Sequence, residues 1–186
     1  MRFGNLDIIA PRLSNEPWVE ASVLGAATWL WMHSEVHRNA PLHALPTVLL
    51  PAIKHRQFVL ASEAGKPVFY LSWLNLNEDS ERRFLNYSPL LLSEADWDSG
   101  DRMWFEDWIA PFGHTALLRR LLQQQLFPTC CARYLQHRGE QRGLRIKTFK
   151  GVQVTPEQAT AWLAARPLAT AFNSAVWRRT TARMLQ

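Results

Sequence analysis

The sequence predicts an α+β domain built around a central, mainly antiparallel sheet flanked by helices. Three observations carry that reading. Two apolar runs, Phe58-Val-Leu-Ala-Ser62 and Pro67-Val-Phe-Tyr-Leu-Ser-Trp73, flank the tight-turn sequence Glu63-Ala-Gly-Lys66 and read as a hairpin. The stretch Gly100-Asp-Arg-Met-Trp-Phe-Glu-Asp-Trp-Ile-Ala-Pro-Phe-Gly113 reads as a central strand, because Pro111 cannot extend a ladder and leucines at 117, 118, 121, 122 and 126 then follow at helical spacing. The order along the chain is helix, hairpin, central strand, helix, two strands, helix, which suits a layered domain.

Met1 to Glu20 mixes Pro11, Ser14, Asn15 and Pro17 with scattered apolar residues and reads as an irregular arm, leaving 21–186 as one domain. Ala21 to His37 reads as a helix with Leu24, Ala27 or Thr28, and Trp31 along one face and Ser34 and His37 continuing the row. Arg38-Asn39-Ala40-Pro41 ends it, since a residue before proline avoids helical angles. Pro46 and Pro51 divide short apolar pieces, and Asn75 to Leu92 holds a further helix or strand. Ser93 to Gly100 is the loop into the central strand. Cys131 to Gln136 and Leu144 to Phe149 alternate as two late strands, with Gly139 and Gly143 bracketing their turn. Thr155-Pro-Glu-Gln is an N-cap with proline at the first helical position, so a helix is expected from Pro156 to about Ala165. The end of the chain, through Trp177 to Arg183, reads as a basic helix.

At 186 residues with 47% hydrophobic content the chain is long enough to bury a core. No run approaches the roughly 20 apolar residues of a membrane helix, and Met1 to Pro17 lacks the charged start and apolar middle of a secretory signal, so a cytoplasmic location is expected. Cys130 and Cys131 are adjacent, which leaves neither a disulfide frame nor a cysteine zinc site. Charge is uneven: 11 Lys+Arg against 14 Asp+Glu in residues 1–128, then 10 against 2 in residues 129–186. The basic third suits an acidic partner, either nucleic acid or an acidic protein, or it is a solvated face.

Two residues stand out chemically. Read at a period of two, Asp107 shares a face with Met103, Phe105 and Ile109, and burying an unpaired carboxylate costs several kcal/mol. Asp107 therefore has a partner, lines a cleft or sits on a solvent edge. His37, at a helix end beside a loop, is placed either for acid–base chemistry or for capping and packing. His33 and His37 have the i,i+4 spacing of a zinc pair, but position 34 is Ser where the His-Glu-x-x-His pattern needs Glu, so no metal is expected. Glu106, sharing a face with two tryptophans, reads as a surface or interface residue rather than a second acid, and His114 as a surface histidine or a substrate hydrogen-bonding group.

Trp29-Leu-Trp-Met-His-Ser-Glu-Val-His37-Arg-Asn39 and Gly100 to Gly113, with Leu50-Pro-Ala-Ile53 and both hairpin strands between them in order, resemble the RTX-toxin-activating lysine acyltransferases. The similarity is close over Leu24 to Gly113 and loose as far as Gly151. The resemblance implies a fold similar to GCN5-related N-acetyltransferases. It also implies transfer of a fatty acyl group from acyl carrier protein to internal lysines of an RTX protoxin, with His37 and Asp107 as the catalytic pair and Ser34 as the family serine. Arg38 and Asn39 flank the histidine as candidate donor or toxin contacts, or as helix caps. A lysine amine of pKa about 10.4 is protonated at neutral pH and needs a base before it can attack a thioester, a task for which His37 oriented by Asp107 is suited. A covalent acyl-histidine is the alternative to direct transfer.

Relatives of that fold that use coenzyme A carry a glycine-rich phosphate loop after the central strand, whereas this chain has Pro111-Phe-Gly-His-Thr115. Acyl carrier protein is thus the expected donor, with no bound cofactor, and Arg145 and Lys147 and the basic stretch Arg178 to Arg183 are candidate docking residues for it. A homodimer is left open by the sequence, and nucleic acid is not an expected partner. The competing readings are a coenzyme-A-dependent N-acyltransferase and a catalytically silent toxin-binding chaperone or adaptor of the same fold.

Overall fold

The computed structural model describes residues 1–87, 91–136 and 145–172. Among these, seven strands form one open sheet in sequence order: β1 (Arg2–Phe3), β2 (Leu6–Ile9), β3 (Phe58–Glu63), β4 (Lys66–Leu76), β5 (Arg102–Ile109), β6 (Cys131–Gln136) and β7 (Arg145–Lys150). All neighbours run antiparallel except β5 and β6, which are parallel and joined through α4 (Thr115–Leu121), as a parallel pair requires a crossover. The architecture is the α+β fold with a mostly antiparallel sheet that the sequence predicts.

Helices cover both faces. On one, Val23, Ala27, Leu30 and Trp31 of α1 (Glu20–Met32) and Ile53 of α2 (Leu50–Lys54) pack on Phe58, Leu60, Tyr70 and Ile109. Phe84 and Leu85 of α3 (Glu78–Asn86) extend that layer over Leu74, Leu76 and Trp104. On the other face Leu118, Leu121, Leu122 and Leu126 cover Leu71, Trp73, Phe105, Phe127 and Phe149. The hairpin turn takes left-handed angles at Ala64 (φ 48°) and Gly65 (φ 79°), a twist that matches the flanking strands. Asn77 caps α3 by accepting from the Ser80 amide, and Thr155 and Gln158 form the capping box of α5 (Pro156–Ala165). No helix among the described residues is long and apolar enough to cross a membrane.

Four expectations need correction or fall outside the described residues. The first residues are not an irregular arm: β2 pairs with β3 from Leu6↔Glu63 to Ile9↔Leu60, and Leu6 and Ile8 are fully buried. Pairing with β3 supplies the order that the local sequence lacks. Helix α1 stops at Met32, and its buried stripe runs through Val23 rather than Leu24. His37 is thus not at the helix end but in a separate turn, in which the His37 and Arg38 amides donate to Ser34 O. The Gly139–Gly143 turn and the Arg178–Arg183 stretch lie outside the described residues.

The fourth correction concerns β5. Trp108 pairs with Leu71 and Phe105 with Trp73, so Ser72 alone faces both Glu106 and Asp107. The extra residue is a β-bulge, and it reverses the alternation of side chains along the strand. Met103, Phe105 and Trp108 pack on the α4 side, whereas Trp104 and Ile109 pack beneath α3 and α1. Asp107 goes with the second group and therefore does not share a face with Met103 and Phe105. Strand β6 pairs with β5 only at Trp104↔Arg133 and Phe105↔Tyr134, so the two strands part where the bulge begins.

Candidate active site

The bulge aims Asp107 into the layer beneath α1, where both of its carboxylate oxygens find donors. The ring of Trp31, from the last turn of α1, donates its Nε1–H to Oδ2 at 3.2 Å. Oδ1 lies 2.9 Å from His37 Nε2. The Asp107 amide donates to Ser72 Oγ at 3.2 Å, which ties the bulge to β4. Asp107 is 3% exposed, and the histidine side chain retains 20% exposure. One side of the pair is therefore dry and fixed, and the other is open to a substrate.

His37 is held on three sides. Its ring stacks on Trp31 with centroids 5.0 Å apart and planes 27° from parallel. Its Nδ1 lies 2.9 Å from Ser34 Oγ, and Nε2 faces the carboxylate. With Asp107 as acceptor, Nε2 carries the proton and the Nδ1 lone pair accepts from the Ser34 hydroxyl. Serine, histidine and aspartate thus form one hydrogen-bonded chain, in the order hydroxyl, imidazole, carboxylate. Ser34 and His37 are adjacent because α1 ends early, since the local side-chain bond competes with a further helical turn.

Glu106 was not expected here. The bulge turns it to the same side, with Oε2 3.5 Å from Ser72 Oγ and its carboxyl against that of Asp107. Burial first, and then the neighbouring Asp107 charge, push Glu106 well above the usual carboxylate range. The fully buried Tyr70 hydroxyl has no hydrogen-bond partner among the described residues, and burial, followed by the neighbouring Asp107 carboxylate, raises it well above its ordinary value. The sequence signal for Glu106 was its place beside Asp107, but only the β4 register reveals the shared face.

The other expected residues lie in three places. Arg38 and Asn39 are exposed in the turn that carries His37. Arg145 and Lys147 are exposed on β7 and alternate onto the Phe149 side of the sheet, opposite the face where His37 meets Asp107. His33 stacks on Trp29 with its Nδ1 2.8 Å from Trp29 O, pointing away from any pairing with His37. His114 is half-buried, 3.3 Å from Glu63 Oε2. Among the described residues no group of three or more His, Cys, Asp or Glu side chains is placed to hold a metal ion.

The GNAT-like layered sheet thus holds an imidazole–carboxylate pair beside the point where β5 and β6 part. Comparison with known families narrows the class. The chain belongs to the RTX toxin acyltransferase family (HlyC), whose profile matches residues 16–150. It is similar to the protein-lysine myristoyltransferase RtxC of Kingella kingae, 46% identical over 110 residues that span 57% of this chain and 65% of the relative. It is also similar to the RTX-I toxin-activating lysine-acyltransferase ApxIC of Actinobacillus pleuropneumoniae, 39% identical over 138 residues, 74% of this chain and 79% of the other. The leukotoxin-activating lysine-acyltransferase LktC (serotype A11) of Mannheimia haemolytica is 37% identical over 140 residues, 74% and 82%.

Proposed function

We propose that this chain is a protein-lysine acyltransferase that transfers a fatty acyl group from the thioester of acyl carrier protein to the ε-amine of an internal lysine of an RTX protoxin. The observation that carries the reading is the hydrogen-bonded chain Ser34–His37–Asp107 on a family-matched fold. In the step, the amine nitrogen attacks the thioester carbonyl, a C–N bond forms, and the C–S bond breaks as the tetrahedral intermediate collapses. The lysine ammonium first gives one proton to solvent by way of His37, and after attack the second proton passes from nitrogen to His37 Nδ1, directly or by exchange through the Ser34 hydroxyl, and then to the departing thiolate. Asp107 holds the imidazole in the tautomer that leaves Nδ1 basic and stabilises the imidazolium that forms.

The acidic carrier protein suits the exposed Arg145 and Lys147 on β7. Charge reversal at both is expected to raise the Michaelis constant for the carrier protein and to leave that for the toxin fragment alone.

The same chain of three groups favours a second reading, in which Ser34 Oγ is acylated first and the acyl ester then passes to lysine. Rapid-quench mass spectrometry with donor and no acceptor separates the two: direct transfer leaves the enzyme mass unchanged. The decisive experiment incubates purified protein with long-chain acyl carrier protein and a lysine-bearing RTX fragment. A fragment mass gain that vanishes in His37→Ala supports the transferase, and no gain from a folded enzyme across several chain lengths overturns it.

A further inference from the structure

A second constellation sits on the same two segments that carry His37 and Asp107. Trp29 and His33 lie one helical turn apart at the end of α1, with ring centroids 4.1 Å apart. Phe112, just beyond β5, closes the box at 5.6 Å from Trp29 and 5.5 Å from His33. Trp29 and Phe112 are half-buried, and His33 is exposed. Into this box projects the chain's own Lys66, whose Nζ stands 4.2 Å from the Phe112 centroid and 5.6 Å from that of Trp29. The register explains how it arrives there: Tyr70 pairs with Ile109, so Lys66, four residues before Tyr70, overhangs the exit of β5.

From this geometry we infer that the Trp29–His33–Phe112 box is the docking place of the acceptor lysine's ammonium, and that Lys66 is a resident occupant which the substrate displaces. The inference rests on the lysine-acyltransferase reading above and adds where the acceptor waits. The faces of aromatic rings attract ammonium ions, and the box holds one in place now. Its occupant is displaceable, being an exposed side chain at the first residue of β4 whose partners among the described residues are rings rather than carboxylates. The chemical group it presents is the one the reaction consumes. Because rings favour the charged ammonium, the box is a docking position from which the amine moves on to His37 for deprotonation.

Steady-state kinetics tests the displacement. Lys66→Met removes the resident cation and is expected to lower the Michaelis constant for the toxin fragment about two- to fivefold, the strength of an exposed cation–π contact, with that for acyl carrier protein unchanged. Phe112→Leu is expected to raise the toxin constant by a similar factor. An unchanged or higher toxin constant in Lys66→Met overturns the proposal, whatever Phe112→Leu does to folding.

Absence of transfer by the wild-type enzyme counts against the transferase reading instead, and a binding measurement then decides the box by itself. In protein labelled with 13C at the lysine ε-carbon, the Lys66 signal, assigned by its loss in Lys66→Arg, is expected upfield of the other lysines. Titration with Nα-acetyl-lysine-N-methylamide moves it toward them, and the Nε-acetylated compound does not. A signal that stays in place with the free amine, or moves equally with both compounds, overturns the proposal.

Discussion

Trp31 and Asp107 are joined by an indole N–H···O bond of 3.2 Å, on the carboxylate oxygen opposite the one that meets His37. Trp31 also stacks on the His37 ring, so one side chain orients both members of the pair. Trp31→Phe keeps an aromatic face but removes the donor and part of the ring. A hydrogen bond to a charged group contributes about 1.5–3 kcal/mol, so kcat is expected to fall tenfold or more. Thermal unfolding, which reads the retained packing, should shift by only a few degrees.

Glu106 leads to a pH prediction. Its folded-state pKa lies above the unfolded value because of burial and the Asp107 charge. The folded state therefore binds more protons than the unfolded state, and this carboxyl works increasingly against folding as pH rises from about 4.5. Glu106→Gln, a neutral isostere of the protonated acid, removes that penalty. The stability gain of the variant should grow between pH 5 and pH 8 in paired thermal melts, and an equal difference at both pH values would refute the upward shift of Glu106 in the fold.

Asp96 has the opposite sign. Burial opposes its ionisation, but hydrogen bonds from Ser80, Arg83 and Ser93 outweigh it and hold the carboxyl at about 2. Its contribution to stability is complete above the unfolded value of about 3.9 and is lost as pH falls through about 2. In Asp96→Asn the acid limb of the pH–stability curve between about pH 4 and pH 2 should be shallower than in the wild type, as followed by circular dichroism.

Glu81 locks the far end of the sheet. Fully buried on α3, it accepts from Arg102 Nη1 at 2.9 Å, Arg133 Nη1 at 3.1 Å, Trp104 Nε1 at 2.8 Å and the Ala169 amide at 3.0 Å. Removing one partner of a buried ionic cluster leaves uncompensated charge and costs about 3–5 kcal/mol. Glu81→Ala should therefore shift the urea midpoint strongly downward. A change under about 1 kcal/mol would mean that the two guanidiniums are satisfied by the carbonyls of Pro167 and Arg166 alone.

Much of this architecture is local and therefore legible in the residues themselves. The turn at Glu63 to Lys66, the strand stop at Pro111, the leucine spacing after Thr115 and the Thr155 cap each depend on neighbours within about four positions, which the chain order supplies directly. The charge of Asp107 amid apolar residues announced that it has a partner, lines a cleft or sits on a solvent edge. The resemblance of two separate stretches pairs it with His37, although the two are 70 positions apart.

What the tertiary structure alone decided depends on contacts between distant segments. The bulge at Glu106 and Asp107 exists only in register with Ser72, and without it a period-two reading puts Asp107 on the wrong face. The strands before residue 10 are ordered by the edge of β3, the end of α1 by the bond between Ser34 and His37, and Glu81 by arginines 21 and 52 residues away. A sequence fixes propensities and the spacing of side chains. Register, burial and the pairing of charges arise when segments meet, because desolvation and hydrogen bonding belong to the pair and not to either residue.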